Sequence, residues 1–246
     1  MSFTLIILFL FFMGSLIGWV MELFFRRMIN PEKKWVNPGF LIGPYLPLYG
    51  FGLTILYLLA SFERFIPIKN VYVMRVVLFV IMAAAMTLIE YIAGIIFIKK
   101  MKVKLWDYSD QRFNIGGVIC LKYSCLWALL GAIYYFFIHK HIIDALIWLS
   151  ENLAFSFFVG MFYGIFIIDF VYSANLMAKI KTFADENEII IKLEELKLSV
   201  IKNAEEKKIR FIFPIPHNKK LKEELSRYKE MKKKLESELK SKIKKK

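Results

Sequence analysis

Hydrophobic residues in this chain fall into long, nearly uninterrupted runs. Five runs are long enough to cross a bilayer, since a transmembrane helix needs about 20 apolar residues. They cover Phe3–Phe25, Leu41–Phe62, Tyr72–Ile98, Ile119–Ile138 and Asn152–Tyr172. Because a membrane β-barrel strand would alternate apolar and polar residues, the runs predict an all-α, polytopic membrane bundle of five transmembrane helices. The shorter run Ile142–Leu149 is predicted to be an interfacial piece or an extension of the fifth span.

Composition and charge divide the chain into two parts. Hydrophobic residues make up 58% of the 246 positions, against about 45–50% in a soluble domain. Residues 1–172 hold 9 acidic and 14 basic side chains, whereas residues 173–246 hold 12 and 21. This distribution excludes a soluble globular enzyme, a disulfide-rich secreted domain and a disordered protein. It predicts a transmembrane bundle over 1–172 and a basic helical tail over 173–246.

Lysine and arginine counts in the loops predict the orientation. The N-terminus before Phe3 has none, and the successive loops then hold many, few, many and few, ending with 21 in the tail. Since basic loops stay in the cytoplasm, we expect the N-terminus outside and the tail inside.

The tail pattern predicts two helices. One run covers 174–210 and the other 218–243, with a break at 211–218 that contains Pro214 and Pro216. This arrangement favours a helical hairpin, or a coiled coil with a second copy of the chain. Two apolar registers compete in the first run: Leu176, Ile180, Phe183, Ile190 and Ile201, or Ile189, Leu193, Leu196 and Val200. The lysine clusters 232–234 and 244–246 predict attraction to anionic lipid, and nucleic acid is not expected as a partner.

Three carboxylates lie within or near the predicted spans. Glu22 precedes Arg26 by four residues, so the two are expected to pair along the helix. Asp169 lies in the last turn of the fifth span, where a structural role at the interface is expected. Glu90 lies nine residues before Lys99, about 13 Å inside the membrane boundary. A carboxylate at that depth must be protonated, paired or facing a polar cavity, and Lys122 or tyrosines of the second span are candidate partners.

The second span opens with three prolines and four glycines in Asn37–Gly52. A regular helix cannot pass Pro44 and Pro47 without losing backbone hydrogen bonds. Non-helical backbone at membrane depth survives only where it is buried in protein or lines a water-filled cavity. The segment therefore predicts a broken helix like those of transporters, and a kinked helix is the alternative.

The loop after the third span mixes aromatic, acidic and amide side chains over Trp106–Asn114. We expect it to meet the polar ends of the first, second and third spans on the cytoplasmic side. The predicted polar site or substrate path comprises Glu22, Asn37, Pro44, Tyr45, Pro47, Tyr49, Glu90, Trp106, Asp107, Tyr108, Asp110 and Asn114. No metal-ligand motif or cofactor motif accompanies these residues, so no cofactor and no metal are expected.

Two glycine pairs sit at helical spacing, Gly14 with Gly18 and Gly160 with Gly164. Such pairs let helices approach closely in lipid. They predict either packing within one bundle or a homodimer seam.

Four segments resemble the "putative ABC-transporter type IV" family of permease-like bacterial membrane proteins. They are Gly18–Glu22, Asn37–Gly52, Glu90–Gly94 and Trp106–Leu121. The resemblance covers roughly residues 14–140 and leaves the tail outside. It implies a multi-pass protein of the bacterial cell membrane, acting as a permease subunit of an ABC-type transporter. The chain holds no P-loop of its own, so the ATPase is expected to be a separate subunit.

Two other functions stay open at this point. The bundle could anchor a non-catalytic scaffold or sensor that recruits a partner through the tail. Less favoured is an interfacial enzyme on a lipid-linked substrate, with Glu22, Asp107 and Asp110 as acid/base groups. Because no complete catalytic constellation is readable, the chain is not expected to be an enzyme.

Overall fold

The computed structural model describes residues 1–29, 35–204 and 218–244. Eight α-helices and four two-residue strands lie within these ranges. The helices are α1 (Phe3–Ile29), α2 (Pro47–Ser61), α3 (Val71–Met101), α4 (Leu121–Ile133), α5 (His139–Glu151), α6 (Ser156–Glu186), α7 (Leu193–Ala204) and α8 (Asn218–Lys244). The strands are β1 (Val103–Lys104), β2 (Asn114–Ile115), β3 (Ile119–Cys120) and β4 (Ile191–Lys192). β1 pairs with β4 in parallel, and β2 pairs with β3 antiparallel.

Within the described residues, four helical stretches are long and apolar enough to cross a membrane. They cover Phe3–Met28, Val71–Met101, Leu121–Glu151 and Leu153–Glu186. The predicted second span differs, because its helix α2 has only 15 residues and so spans about 22 Å. The chain over 35–46 is non-helical, and the helix begins directly after it, at Pro47. As predicted, no regular helix passes Pro44 and Pro47, but residues 35–46 are non-helical throughout, so α2 begins at Pro47 and is not the second half of a broken helix.

Ile142–Leu149 continues the fourth helical run, Leu121–Glu151. Of the two predicted alternatives, an interfacial piece or an extension of the fifth span, the second was wrong. A π-helical turn over Tyr134–Ile138 joins α4 to α5 without a gap. The chain leaves helical geometry at Asn152, just before α6. Ile142, Leu146 and Leu149 then pack into the core of the bundle, which explains their apolar character.

The α1–α2 contact accounts for the first glycine pair. A Cβ atom on Gly18 would lie 2.1 Å from Cβ of Tyr49, and one on Gly14 would lie 2.8 Å from Cβ of Leu53. Both glycines therefore serve packing within the bundle. A Cβ atom on Gly160 or Gly164 would meet no described atom within 4 Å, so the homodimer seam at this pair stays a prediction.

Large apolar side chains cover the outside of the spans. Phe137, Phe157 and Ile168 are each at least 70% exposed. Such a surface would be unfavourable in water and suits a lipid environment. This supports a multi-pass membrane protein.

The tail is not one helix over 174–210. α6 ends at Glu186, and the chain turns through residues 187–190 into β4 before α7 begins. The second register is the buried one from there on, because Leu193, Leu196 and Val200 are buried whereas Ile190 is exposed. These side chains join buried residues of α6 and α8 in a second core: Met177, Ile180, Ala184, Leu221, Leu225 and Tyr228. We call this cluster the tail core.

Several tail predictions fall on other parts of the chain. The proline break over 211–217, residues 245–246 and the side chains of Ile201, Leu235 and Leu239 lie outside the described residues. The second helical run is present as α8.

Candidate functional site

The chain before α2 is held inside the bundle by its own polar groups. Nδ2 of Asn37 donates to the carbonyl oxygens of Leu41 and Ile42, and the indole Nε1 of Trp19 donates to Asn37 Oδ1 at 2.7 Å. The amide of Leu46 donates to the carbonyl of Ser15, half-way along α1. The segment 37–46 thus folds back on itself between helices, which satisfies backbone groups that lack helical partners. We call residues 37–46 the broken segment.

Asp169 on α6 is the main acceptor for the broken segment. Its carboxylate accepts hydrogen bonds from the amides of Ile42 and Gly43, at 3.1 and 2.7 Å to Oδ2, and from the Tyr45 hydroxyl at 2.5 Å. Ser173, one turn later, donates to Oδ1 at 2.8 Å. A structural role at the membrane interface was expected for Asp169, but its hydrogen bonds to the broken segment were not predicted. The available signal was a lone carboxylate in an apolar span, together with a proline-rich segment that needed acceptors and donors.

A polar chain links α2 to the tail through α1. The Tyr49 hydroxyl donates to Glu22 at 2.8 Å, and Arg26 donates from Nε to Glu22 at 2.8 Å. Arg26 also donates from Nη1 to Glu194 of α7 at 2.7 Å. The predicted Glu22–Arg26 pair is therefore present, but the same arginine reaches the tail, which sequence spacing did not reveal.

Glu90 is 2% exposed and accepts a hydrogen bond from the Tyr108 hydroxyl at 3.0 Å. Lys122, one of the proposed partners, instead lies over the ring of Tyr123. The indole of Trp127 lies close to the Glu90 carboxylate. Even so, Glu90 Oε2 is buried without a hydrogen-bond partner among the described residues.

The loop after α3 is a compact turn that positions Tyr108. Trp106 Nε1 donates to the carbonyl of Val118, and the amide of Tyr108 donates to the carbonyl of Gly117. Gly117 has φ of +68°, and a Cβ there would lie 2.5 Å from the Ser109 hydroxyl, so only glycine fits. Asn114 donates to two loop carbonyls and accepts from the Gly117 amide.

Asp107 ties this loop to itself and to the tail. Lys104 and Ser109 donate to its Oδ1 at 2.9 and 2.5 Å, and Lys192 of β4 lies 3.1 Å from Oδ2. Although burial acts in the opposite direction, the hydrogen bonds from Ser109, Lys104 and Lys192 lower the pKa of Asp107 to about 2. Asp107 is therefore a structural anion that holds β1 against β4.

Lys197 of α7 enters the broken segment from the tail. It is 5% exposed, and its Nζ donates to the carbonyls of Asn37 and Gly39 at 2.9 and 2.7 Å. Burial and the neighbouring Arg26 guanidinium lower the pKa of Lys197 to about 7, while Glu194 opposes the shift. A neutral amine still has two N–H donors, so both hydrogen bonds survive loss of the proton.

A cavity of about 1040 Å³ lies among α1, α2, α3, α4 and α6. Its walls are mostly apolar and aromatic. Six of the predicted site residues line it: Glu22, Pro47, Tyr49, Glu90, Trp106 and Tyr108. The other six lie outside it: Asn37, Pro44, Tyr45, Asp107, Asp110 and Asn114.

The residues outside the cavity divide by role. Asn37, Tyr45, Asp107 and Asn114 make the hydrogen bonds that shape the broken segment and the loop, whereas Asp110 is exposed. Glu22, Asp107 and Asp110 thus do not share the cavity. In the described ranges, His, Cys, Asp and Glu form no group of three that could hold a metal ion.

The apolar spans, the broken segment and the largely apolar cavity with its few buried polar groups define a polytopic helical membrane protein with a candidate site between its helices. The chain belongs to the family described as "putative ABC-transporter type IV", whose sequence profile matches residues 9–174. The match includes the broken segment, Glu90 and the loop around Tyr108, and ends where α6 leaves the bundle for the tail core. No curated protein and no solved structure matches the chain significantly.

Proposed function

We propose that this chain is the transmembrane subunit of an ABC-type transporter in the bacterial plasma membrane, with its tail in the cytoplasm and a separate ATPase as partner. The cavity beside the broken segment carries the proposal. Transporter sites lie where helices are interrupted near the middle of the membrane, and Glu90 lines this cavity near that depth. Family membership supports the same class.

The broken segment and the tail give a route from the cavity to a partner. Asp169 binds the broken segment from one side, and Lys197 binds it from the tail. Arg26 joins the Glu22 carboxylate of the cavity to Glu194 of α7. A displacement of the tail by a partner would therefore act on the cavity directly through hydrogen-bonded groups.

The turn over residues 109–116 is the proposed ATPase contact. Phe113 is 78% exposed and Ile115 is 59% exposed, on the same side of the bundle as the tail. Asn114 holds the turn together, because it donates hydrogen bonds to the carbonyls of Ser109 and Gln111. Two exposed apolar side chains on a turn held in this way suit burial in a pocket of the partner.

Co-purification tests both the partner and its contact. The tagged full-length chain would be isolated at native expression level in mild detergent, and bound proteins would be identified by mass spectrometry. We expect a P-loop ATPase in stoichiometric amount with the wild type, its loss with Phe113→Asp, and its retention with Met231→Asp. Met231 is a matched control, since it is 51% exposed on α8 of the tail.

Other results would contradict the proposal. Isolation of the chain alone, or with a partner that is not an ATPase, would overturn the transporter assignment. Loss of the ATPase with Met231→Asp but not with Phe113→Asp would move the contact to the tail.

A membrane scaffold or sensor is the second candidate, and the tail core favours it. The tail has a buried cluster of its own, so it can present a folded surface to a partner. Deletion of residues 187–246 separates the two functions. A scaffold loses its partner with the tail, whereas the proposed transporter keeps its ATPase through the 109–116 turn.

A further inference from the structure

One ionisable side chain in the cavity, Glu90, has no oppositely charged partner among the described residues. Among the described residues that line it, the charged ones are Glu22, Arg26 and Glu90. Glu22 and Arg26 neutralise each other at 2.8 Å. Glu90 accepts a hydrogen bond from the neutral Tyr108 hydroxyl at Oε1 and has the neutral indole of Trp127 nearby, but its Oε2 is buried without a hydrogen-bond partner among the described residues. An ionised carboxylate in this state is costly, so Glu90 must either be protonated or be joined by a cation or a donor.

Aromatic rings surround this carboxylate. Tyr108 stacks on Tyr123 with ring centroids 4.3 Å apart, and Tyr49 lies against Trp127 at 5.2 Å. All four rings line the cavity. Aromatic faces attract cations through their quadrupole, most strongly where water is excluded. The aromatic rings and the carboxylate therefore both favour a positively charged ligand.

The remaining wall is apolar, which favours a ligand whose uncharged part is apolar. Phenylalanines of α1, α3 and α6 line the cavity with aliphatic side chains of α3 and α4. A small inorganic cation would leave this wall without a partner, whereas about 1040 Å³ holds a drug-sized molecule.

We infer that the cavity binds an organic cation with an apolar body, its positive charge held by Glu90 among Tyr49, Tyr108 and Trp127. The inference deepens the proposed function. It depends on that function only for the claim that the bound cation is transported. Binding itself needs only the purified chain.

Equilibrium binding of tetraphenylphosphonium to the purified full-length chain tests the inference. We expect saturable binding by the wild type, and affinity lowered at least tenfold in Glu90→Gln. Glu63→Gln is the matched control, because Glu63 also accepts a hydrogen bond from a tyrosine hydroxyl, that of Tyr135 at 2.7 Å, but lies outside the cavity. Tetraphenylborate, with the same shape and the opposite charge, is expected not to compete.

A second variant keeps the test decisive if Glu90→Gln fails to fold. Tyr108→Phe frees Oε1 while leaving the negative charge, so folded Tyr108→Phe is expected to bind tetraphenylphosphonium at least as tightly as the wild type. Equal binding by wild type and folded Glu90→Gln, equal competition by tetraphenylborate, or lost binding in folded Tyr108→Phe would each overturn the inference.

The two proposals can fail separately. Charge-selective binding without an ATPase partner would leave the site standing and remove the transporter assignment. An ATPase partner without charge-selective binding would do the reverse.

Discussion

At the scale of single residues, buried polar side chains hold a non-helical segment inside a helical bundle. Asp169 accepts from the amides of Ile42 and Gly43 and from the Tyr45 hydroxyl. Asn37 satisfies carbonyls within the same segment. Without these groups the chain around Pro44 would bury unpaired backbone donors and acceptors, which cost about 1–3 kcal/mol each.

We expect Asp169→Asn to destabilise the protein by about 3 kcal/mol, because an amide offers one acceptor oxygen and turns N–H donors toward other donors. Thermal unfolding of the purified chain in detergent measures the change. Ser173→Ala is the matched control, since it removes a single donor to the same carboxylate and should cost about 1 kcal/mol. Equal melting temperatures for the two variants would contradict this role of Asp169.

At the scale of elements, the loop between α3 and α4 joins three parts of the molecule. Its tyrosine reaches Glu90 in α3, its backbone pairs β1 with β4, and Asp107 binds Lys192 beside that pairing. Gly94 of α3 allows the loop to approach, because a Cβ there would lie 2.2 Å from Val118. The site and the tail are thus connected through one short loop.

The lowered pKa of Asp107 predicts acid sensitivity of this connection. Its folded pKa of about 2 lies below the ordinary value of 3.8, so its stabilising contribution is complete above about pH 5 and is lost as the pH falls from about 4 to 2. The wild type should therefore melt at a higher temperature than Asp107→Asn above pH 5, and the gap should close near pH 2. Asp110→Asn, an exposed carboxylate in the same loop, should show no gap, and a gap independent of pH for Asp107→Asn would contradict the prediction.

At the scale of the whole molecule, two cores meet through both apolar and polar contacts. The bundle core contains Phe9, Met82 and Val159, whereas the tail core contains Met177, Leu196 and Leu225. α6 belongs to both, and the tail core also packs against apolar side chains outside the tail: Phe40, Met101, Val103 and Leu105. Lys197, Arg26 and Lys192 add the polar contacts between the tail and the bundle.

The double variant Lys197→Met with Glu194→Gln should loosen α7 from the broken segment and from Arg26, while Leu193, Leu196 and Val200 keep their apolar contacts in the tail core. Loss of its hydrogen bonds and its ion pair is worth about 2 kcal/mol, so hydrogen exchange in α7 should accelerate about 10- to 30-fold. Exchange in α3 should not change. Lys222→Met with Glu223→Gln, which alters the same charges on the exposed face of α8, is the control, and equal exchange in the two double variants would contradict this docking.

The sequence by itself determined the class of protein and the position of most elements. Length and apolar character predict the spans at α1, α3 and α6, because a bilayer requires about 20 apolar residues whatever their order. Pro44 and Pro47 predict that no regular helix passes this point, because proline lacks an amide donor, and α2 begins only at Pro47. The spacing of Glu22 and Arg26 predicts their pair for the same local reason.

Only the tertiary structure decided which polar groups meet. Asp169 lies 127 residues after Ile42, and Lys197 lies 160 residues after Asn37, so no local spacing relates them. Lys122 and the tyrosines of the second span were the predicted partners of Glu90, but the fold of the loop places Tyr108 there instead. Likewise, the break after Glu186 places Leu193 and Leu196 in the tail core, because burial against α8 outweighs the helical pattern that runs through this region.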